Sequence, residues 1–398
     1  MKKNRWFTIL FIMSTILLAG CASGEPAGQA PKSISAETPV SEPAFSLVEP
    51  DGSLALQYAK HFQVDYYGDT LLVTIDGSDR FLVVKEGGEV SEGLPPELPV
   101  YSQPFTNVYL ASSQTMDFFR KLGCLERVKM TSTKAKDWSL PDIRKKVEDE
   151  EILYIGKYNA PDYELLIAKA CDLCVENTMI YHNPETKELI EKLKIPVFVE
   201  KSSYEEDPLG RMEWIKLYGC LMGKEKEAES FFEDKVSEAE ETISEAGNSL
   251  EEKKSVAFFY ITANGQVNIR KPGDYISKMI ELAGGRYIFS GEETDGAEGA
   301  GGSSLTITME EFYDKAKDAD LLIYNSTIDA ELTKLSELTD KSPLLADFTA
   351  VKEKNVWGTE KDLFQEITGT ADMIRSLSLV LRGEEQDSAS VEYMHRLQ

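Results

Sequence analysis

The sequence predicts an α/β protein built as two α/β lobes joined by a single long α-helix, and three observations carry that prediction. Strand-like and helix-like segments alternate with short loops over most of the chain, the pattern of sheets covered by helices on both faces. One long amphipathic segment, Lys224–Ala246, interrupts the alternation. A short motif before it, Asp172-Leu173-Cys174-Val175-Glu176-Asn177-Thr178, has an echo after it in Asp320-Leu321-Leu322-Ile323-Tyr324-Asn325-Ser326. With 398 residues and 42% hydrophobic content, the chain is longer than the roughly 250–300 residues that a single core usually serves.

Lys2, Lys3 and Arg5 precede the largely apolar run Trp6–Leu18, which is shorter than the about 20 residues needed to span a bilayer and fits a secretory signal over residues 1–20. It ends in Leu18-Ala19-Gly20-Cys21, which looks like a bacterial lipobox with Cys21 as the acylated residue. Residues 21–44 are small, polar and proline-bearing, and read as a flexible tether spanning about 25–29 Å. Residues 45–223 are assigned to an N-terminal lobe, 224–247 to the connecting helix and 248–398 to a C-terminal lobe.

Phe62–Asp69, Leu71–Gly77 and Phe81–Val84 alternate between Gly/Asp turns and predict paired strands. A strand at Val108–Ala111, a helix at Gln114–Leu122, a strand at Ile152–Ile155, a helix at Asp162–Ala170, a strand at Leu173–Glu176, a helix at Pro184–Leu193 and a strand at Val197–Val199 follow. In the amphipathic segment, Ala228, Phe231, Phe232, Val236, Ala239 and Ile243 recur mostly three or four apart, with Gly247-Asn248 as the stop. Beyond it, Ser255–Ile261 and Leu321–Tyr324 read as strands, and Asp274–Ala283 and Thr370–Leu381 as helices. Ligands of such sheets bind outside the carboxyl ends of the strands, so the loops at Asn177 and Asn325 are the expected lips of a cleft.

The net charge of −26 repels phosphate backbones and argues against nucleic-acid partners. No G-x-S-x-G, P-loop or H-E-x-x-H motif is present. The three histidines, His61, His182 and His395, are scattered, which disfavours capture of a bare metal ion. Cys171 and Cys174 form a C-x-x-C without a second pair, placed where a strand rather than a helix is predicted, and read as structural free thiols. The run Gly296–Gly302 reads as a surface loop, with an anion nest as the alternative.

Several ordered segments resemble one family. Val108–Ser113 with Lys121–Val128, Asp162–Leu166 leading into Cys171–Val175, Trp214–Gly223 followed by Ala228, and Ile280–Gly285 are similar to the substrate-binding lipoproteins of iron-siderophore, haem and cobalamin ABC importers. Cys171 stands where that family has a proline. The resemblance implies the class III periplasmic-binding-protein fold and no enzymatic activity. Its solute would be a metal chelate: a ferric siderophore first, haem or a corrinoid otherwise, with no resident cofactor or metal. It further implies a monomer, lipid-anchored at the outer face of the cytoplasmic membrane, that docks on ABC permease subunits. A solute sensor, a surface hydrolase and a redox lipoprotein are the alternatives. In that family one glutamate per lobe meets permease arginines; Glu164 takes the first position, and Glu310 and Glu311 compete for the second. Candidate solute contacts are Ser112, Ser113, Trp138, Tyr158, Thr178, Tyr181 and His182 in the first lobe, and Tyr260, Asn264, Arg270, Tyr287 and Asn325 in the second.

Overall fold

A computed structural model describes residues 48–249, 252–291, 303–328, 331–385 and 391–398. The signal, Cys21, the tether and the Gly296–Gly302 run lie outside them. Five strands come first: β1 (Gly52–Ser53), β2 (Phe62–Tyr67), β3 (Thr70–Ile75), β4 (Asp79–Val84) and β5 (Val100–Ser102), hydrogen-bonded in that order. The β3–β4 turn is made by Asp76 and Gly77, with φ of 52° and 71°, the left-handed conformation that tight hairpins require. One face of this sheet, with Phe62, Val64, Val73 and Phe81, joins the main core. The other packs Tyr67, Leu72 and Leu82 under Leu94 and Leu98.

The first lobe proper runs through β6 (Val108–Leu110), α1 (Met116–Lys121), β7 (Val128–Thr131), α2 (Pro141–Glu148), β8 (Leu153–Tyr154), the small pair β9 (Gly156–Lys157) and β10 (Ala160–Pro161), α3 (Tyr163–Ala168), β11 (Leu173–Asn177), α4 (Pro184–Lys192) and β12 (Val197–Glu200). Its sheet is parallel, in the order β12-β11-β6-β7-β8. The chain winds one way from β6 to β8 and the other way through β11 and β12, so the switch point lies between β6 and β11.

Two helices follow. α5 (Pro208–Met222) is buried at every position, and α6 (Glu225–Ser249) is the predicted amphipathic helix. The turn between them is tight: a Cβ on Gly219 would lie 2.6 Å from that of Ala228, and Gly223 sits at φ +64° as the C-cap. α6 buries Ala228, Phe232, Val236 and Ala239. It packs between α5 and the last helix of the second lobe, α11 below, with Lys235 paired to Asp372 (3.1 Å) and Glu245 to Arg382 (3.3 Å).

The second lobe contains β13 (Ser255–Ile261), β14 (Val267–Arg270), α7 (Tyr275–Leu282), β15 (Arg286–Tyr287), β16 (Ser304–Ile307), α8 (Met309–Ala316), β17 (Leu321–Tyr324), α9 (Leu335–Lys341), α10 (Thr349–Lys352), β18 (Val356–Thr359), α11 (Thr370–Arg382) and β19 (Met394–Arg396). Its sheet is mixed, in the order β16-β14-β13-β17-β18-β19, with β13, β17 and β18 parallel. The sequence echo is structural. Asp172 accepts the amide of Thr106 at 2.7 Å just ahead of β6, and Asp320 accepts the amide of Ser255 at 2.7 Å where β13 begins. In each lobe the echoed strand lies beside the first strand and its aspartate clamps the start of that neighbour.

The C-x-x-C differs in detail from a strand with opposed thiols. Cys171 precedes β11, after Ala170 at φ +49°, and both thiols enter the same apolar cluster. Burial pushes the Cys171 thiol up to about 12 and that of Cys174 well above its ordinary value. Native protein at pH 8 is therefore expected to leave Cys124, Cys171, Cys174 and Cys220 unlabelled by a thiol reagent, and denatured protein to expose all four. Rapid native labelling at Cys171 and Cys174 would revive the redox reading.

Candidate functional site

The switch point of the first lobe is closed by side chains from three elements. Asn177 Nδ2 donates to the Ala111 carbonyl (3.2 Å) and its Oδ1 accepts the Met179 amide (2.9 Å), which joins the loop after β6 to the 3₁₀ turn Thr178–His182 after β11. Beneath them Gln114 Nε2 donates to Glu200 (2.9 Å) and Ser202 (2.9 Å), and Gln114 Oε1 accepts from Arg211 (3.3 Å). Burial raises the Glu200 carboxyl, against the bonds from Ser202 and Gln114 that hold it down. This floor was not foreseen, although a glutamate at the carboxyl end of an otherwise apolar strand was its one visible sign.

Above that floor, Ser113 and Thr178 are half-buried, and Tyr181 and His182 are exposed. Ser112 is buried, its carbonyl taking the Thr115 hydroxyl (2.7 Å). Tyr158 packs half-buried against the cluster around Cys174. In the second lobe, Tyr260 lines a groove of about 630 Å³ with Thr262, Ala263, Gly265, Ile328 and Lys341, at the carboxyl end of β13 and beyond that of β17. Asn264 is exposed in the turn that borders it.

Four expected contacts have other work. Trp138 is fully enclosed, its Nε1 donating to the Thr133 carbonyl (3.3 Å). Tyr287 is enclosed too; its hydroxyl accepts the Arg270 amide (3.0 Å) and donates to the Arg270 carbonyl (2.8 Å). Arg270 itself donates to Ser303 (3.0 Å) and lies 5.1 Å from the Phe364 ring centroid. Asn325 is buried and turns its Oδ1 onto the Thr327 amide (3.2 Å) and hydroxyl (2.5 Å). These four therefore shape the loops in this structure instead of presenting open surface to a solute.

The lobes also meet directly. Gln365 Oε1 accepts the Ser139 amide (2.8 Å) while its Nε2 donates to the Asp137 carbonyl (2.9 Å). Buried Asp117 takes the amide (3.0 Å) and the hydroxyl of Thr368, and Arg120 pairs with Glu366. The Arg211 guanidinium lies 3.8 Å from the Tyr275 ring centroid. Such a crossing, added to α6, restricts lobe movement.

Among the described residues, Glu331, Glu360 and His395 form one grouping close enough for a metal ion. Both ring nitrogens of His395 already face acceptors, Nδ1 at Glu360 (2.7 Å) and Nε2 at the Leu332 carbonyl (2.6 Å). Burial lowers this imidazole, but the Leu332 and Glu360 bonds outweigh it and raise it, and the same two bonds fasten β19.

Glu176 is a buried carboxyl whose ionisation couples to folding. It is fully enclosed, its Oε1 is 3.6 Å from the Cys174 thiol, and its Oε2 has no hydrogen-bond partner. Burial pushes it up to about 8. A carboxyl raised in the folded state keeps its proton there while the unfolded chain ionises. Stability is thus full below about 4.5 and falls as pH rises toward 8, by on the order of 4 kcal/mol. Urea melts at pH 5 and 8.5 should show this loss in the native protein and not in Glu176→Gln; equal losses in both would contradict it.

The periplasmic binding protein family model matches residues 108–363. The chain belongs to this family, whose members bind substrates and are not enzymes. It is 25% identical over 413 aligned residues to the uncharacterized lipoprotein MJ0878 of Methanocaldococcus jannaschii, covering 96% of this chain and 94% of that one. Its fold is similar to the periplasmic heme-binding protein HutB of Vibrio cholerae (TM-score 0.55, 15% identity, 69% of this chain and 99% of that one). It is also similar to a periplasmic binding protein of Veillonella parvula (TM-score 0.56, 18% identity, 79% and 98%). The sheet β1–β5 precedes the matched residues.

Proposed function

We propose that the protein is a lipid-anchored receptor at the outer face of the cytoplasmic membrane that captures a metal chelate and delivers it, as a monomer, to an ABC permease. A ferric siderophore is the first choice of solute, with haem or a corrinoid as the other members of the class. The observation that carries this reading is that the loops at the carboxyl ends of parallel strands in both lobes, around Asn177 in the first and the β13 groove in the second, are set on lobes that α6 and the Gln365–Thr368 crossing hold together. Support comes from the solved relative that binds heme and from the lipoprotein relative that spans nearly the whole chain. Lipid attachment through Cys21 is part of the same reading.

Docking is assigned to Glu164 and Glu310. Asp162 caps α3 through the Leu165 amide (3.0 Å), which puts Glu164 second in its helix, and Thr308 caps α8, which puts Glu310 second in its own. Both are exposed. Glu311 instead closes a capping box, its carboxylate accepting the Thr308 amide at 2.8 Å. Native mass spectrometry of the full protein recovered from cells grown with ferric siderophores, haemin and cobalamin tests the solute. One retained chelate mass is expected; retention of a bare ion, or of none of these solutes, would overturn the reading.

A further inference from the structure

The sheet outside the family match reaches the turns that follow β11 and β12 of the first lobe. Lys201, directly after β12, is only 5% exposed. Its Nζ lies 3.3 Å from Asp76, in the β3–β4 turn, and 3.4 Å from Asp79, the first residue of β4. The same ammonium is 5.4 Å from the ring centroid of Tyr181, on the turn after β11. Asp76 is held in place by His61 Nδ1 (2.9 Å), and the His61 ring stands edge-on to Tyr204 at 6.2 Å. Away from the lysine, Tyr181 is open: it is 44% exposed, and the neighbouring Met179 is 50% exposed.

The Lys201 ammonium lies 5.4 Å from the Tyr181 centroid with the phenol hydroxyl among its partners, and a cation so placed draws on the π density of the ring. The ring face turned away from the lysine then favours an electron-rich aromatic partner over an aliphatic one. A lysine so near water would ordinarily swing into solvent, and two aspartates of a separate sheet prevent this. Burial opposes the charged form of Lys201, and its contacts with Tyr181, Asp76 and Asp79 more than restore it.

We infer that the N-terminal sheet is a working part of the solute site: Asp76 and Asp79 fix Lys201 behind Tyr181, and the outer face of Tyr181 takes an electron-rich aromatic arm of the chelate, a catecholate or phenolate. This rests on the chelate reading above and narrows it. Tyr181 is the contact residue; Asp76, Asp79 and Lys201 are positioning residues.

The test is fluorescence titration of the full protein with a ferric tris-catecholate, haemin and an aliphatic ferric trishydroxamate. The tris-catecholate should bind tightest. Lys201→Met, Tyr181→Leu and the pair Asp76→Asn with Asp79→Asn should each weaken it about five- to tenfold, the worth of one partly desolvated cation–π contact. Tyr181→Phe, which keeps the ring but loses the hydroxyl contact with Lys201, should weaken it less than Tyr181→Leu, and trishydroxamate affinity should not respond. Should Lys201→Met misfold, the exposed Tyr181 and aspartate variants carry the test. A second readout needs no solute. Burial raises the Tyr181 phenol and Lys201 pulls it back, so Lys201→Met should move its ultraviolet titration upward. Unchanged catecholate affinity in Tyr181→Leu, or tighter trishydroxamate binding, would overturn this inference alone. Failure of all three probes to bind would overturn the chelate reading and this inference with it.

Discussion

Glu213→Ala is expected to destabilise the protein by about 3–5 kcal/mol, the scale for removing one partner of a buried, hydrogen-bonded ion pair. Glu213 is fully enclosed on α5, and its carboxylate accepts the amides of Gln57 (2.9 Å), Tyr58 (2.8 Å) and Ala59 (2.8 Å). Lys216, one turn on, pairs with it at 3.2 Å and donates to the Ala55 carbonyl at 3.1 Å. Alanine would leave three strap amides without their acceptor and strip the buried Lys216 ammonium of its nearest carboxylate on α5, with the Ala55 carbonyl and Glu229 (3.4 Å) remaining. Glu205 holds the next residues in the same way, at Lys60 (3.0 Å) and His61 (2.9 Å), so the loss should be confined to the strap before β2. Urea denaturation gives the magnitude, and hydrogen exchange should show the amides of residues 57–59 released first. A change below about 1 kcal/mol would mean that the strap is not what neutralises α5.

Glu164→Lys combined with Glu310→Lys is expected to abolish transport while leaving solute affinity within about twofold. Each exposed ion pair with a permease arginine is worth only about 0–1 kcal/mol, so either single reversal should be mild. The double reversal sets like charges against each other at two distant points on one nearly rigid body, where relief at one point cannot relieve the other. Glu311→Gln serves as the control. It weakens the capping box but should leave transport intact. The measurement is uptake of a radiolabelled iron chelate by cells carrying the cognate permease, beside a binding titration of each purified variant. Normal uptake in the double variant would sink the assignment, and lost solute binding would place these glutamates in the crevice.

Much of the fold was legible because its elements announce themselves locally. β13 and β17 are uninterrupted apolar runs, β2 to β4 are separated by Gly/Asp turns, and α6 carries a single apolar stripe. α5 was illegible for the opposite reason. It is buried all round, so no stripe exists, and Arg211, Glu213 and Lys216 look like a solvent face until the strap that receives them is seen. The short strand β14 and the edge strands β16 and β19 owe their form to neighbours rather than to pattern. At the site, Asn177 was traceable through the echo because strand ends define a crevice wherever they occur. Trp138 and Tyr287 were assigned to the cleft by ring type, but sequence does not report enclosure. The Gln365 crossing joins positions 226 residues apart, and nothing local at either end hints at the other.

The strap across α5 has a consequence for biogenesis. A chain that emerges amino-terminus first presents Gln57–Ala59 154–156 residues before Glu213 arrives to receive their amides. During that interval Phe62, Val64, Val73 and Phe81 face water on an uncovered sheet. α5 in turn cannot shelter itself, since no side of it is polar enough to be left outside. The part of the protein made first is thus completed late, after a large loop has closed. Its vulnerability to self-association should peak while the nascent chain is partly delivered, and should vanish once α5 seats.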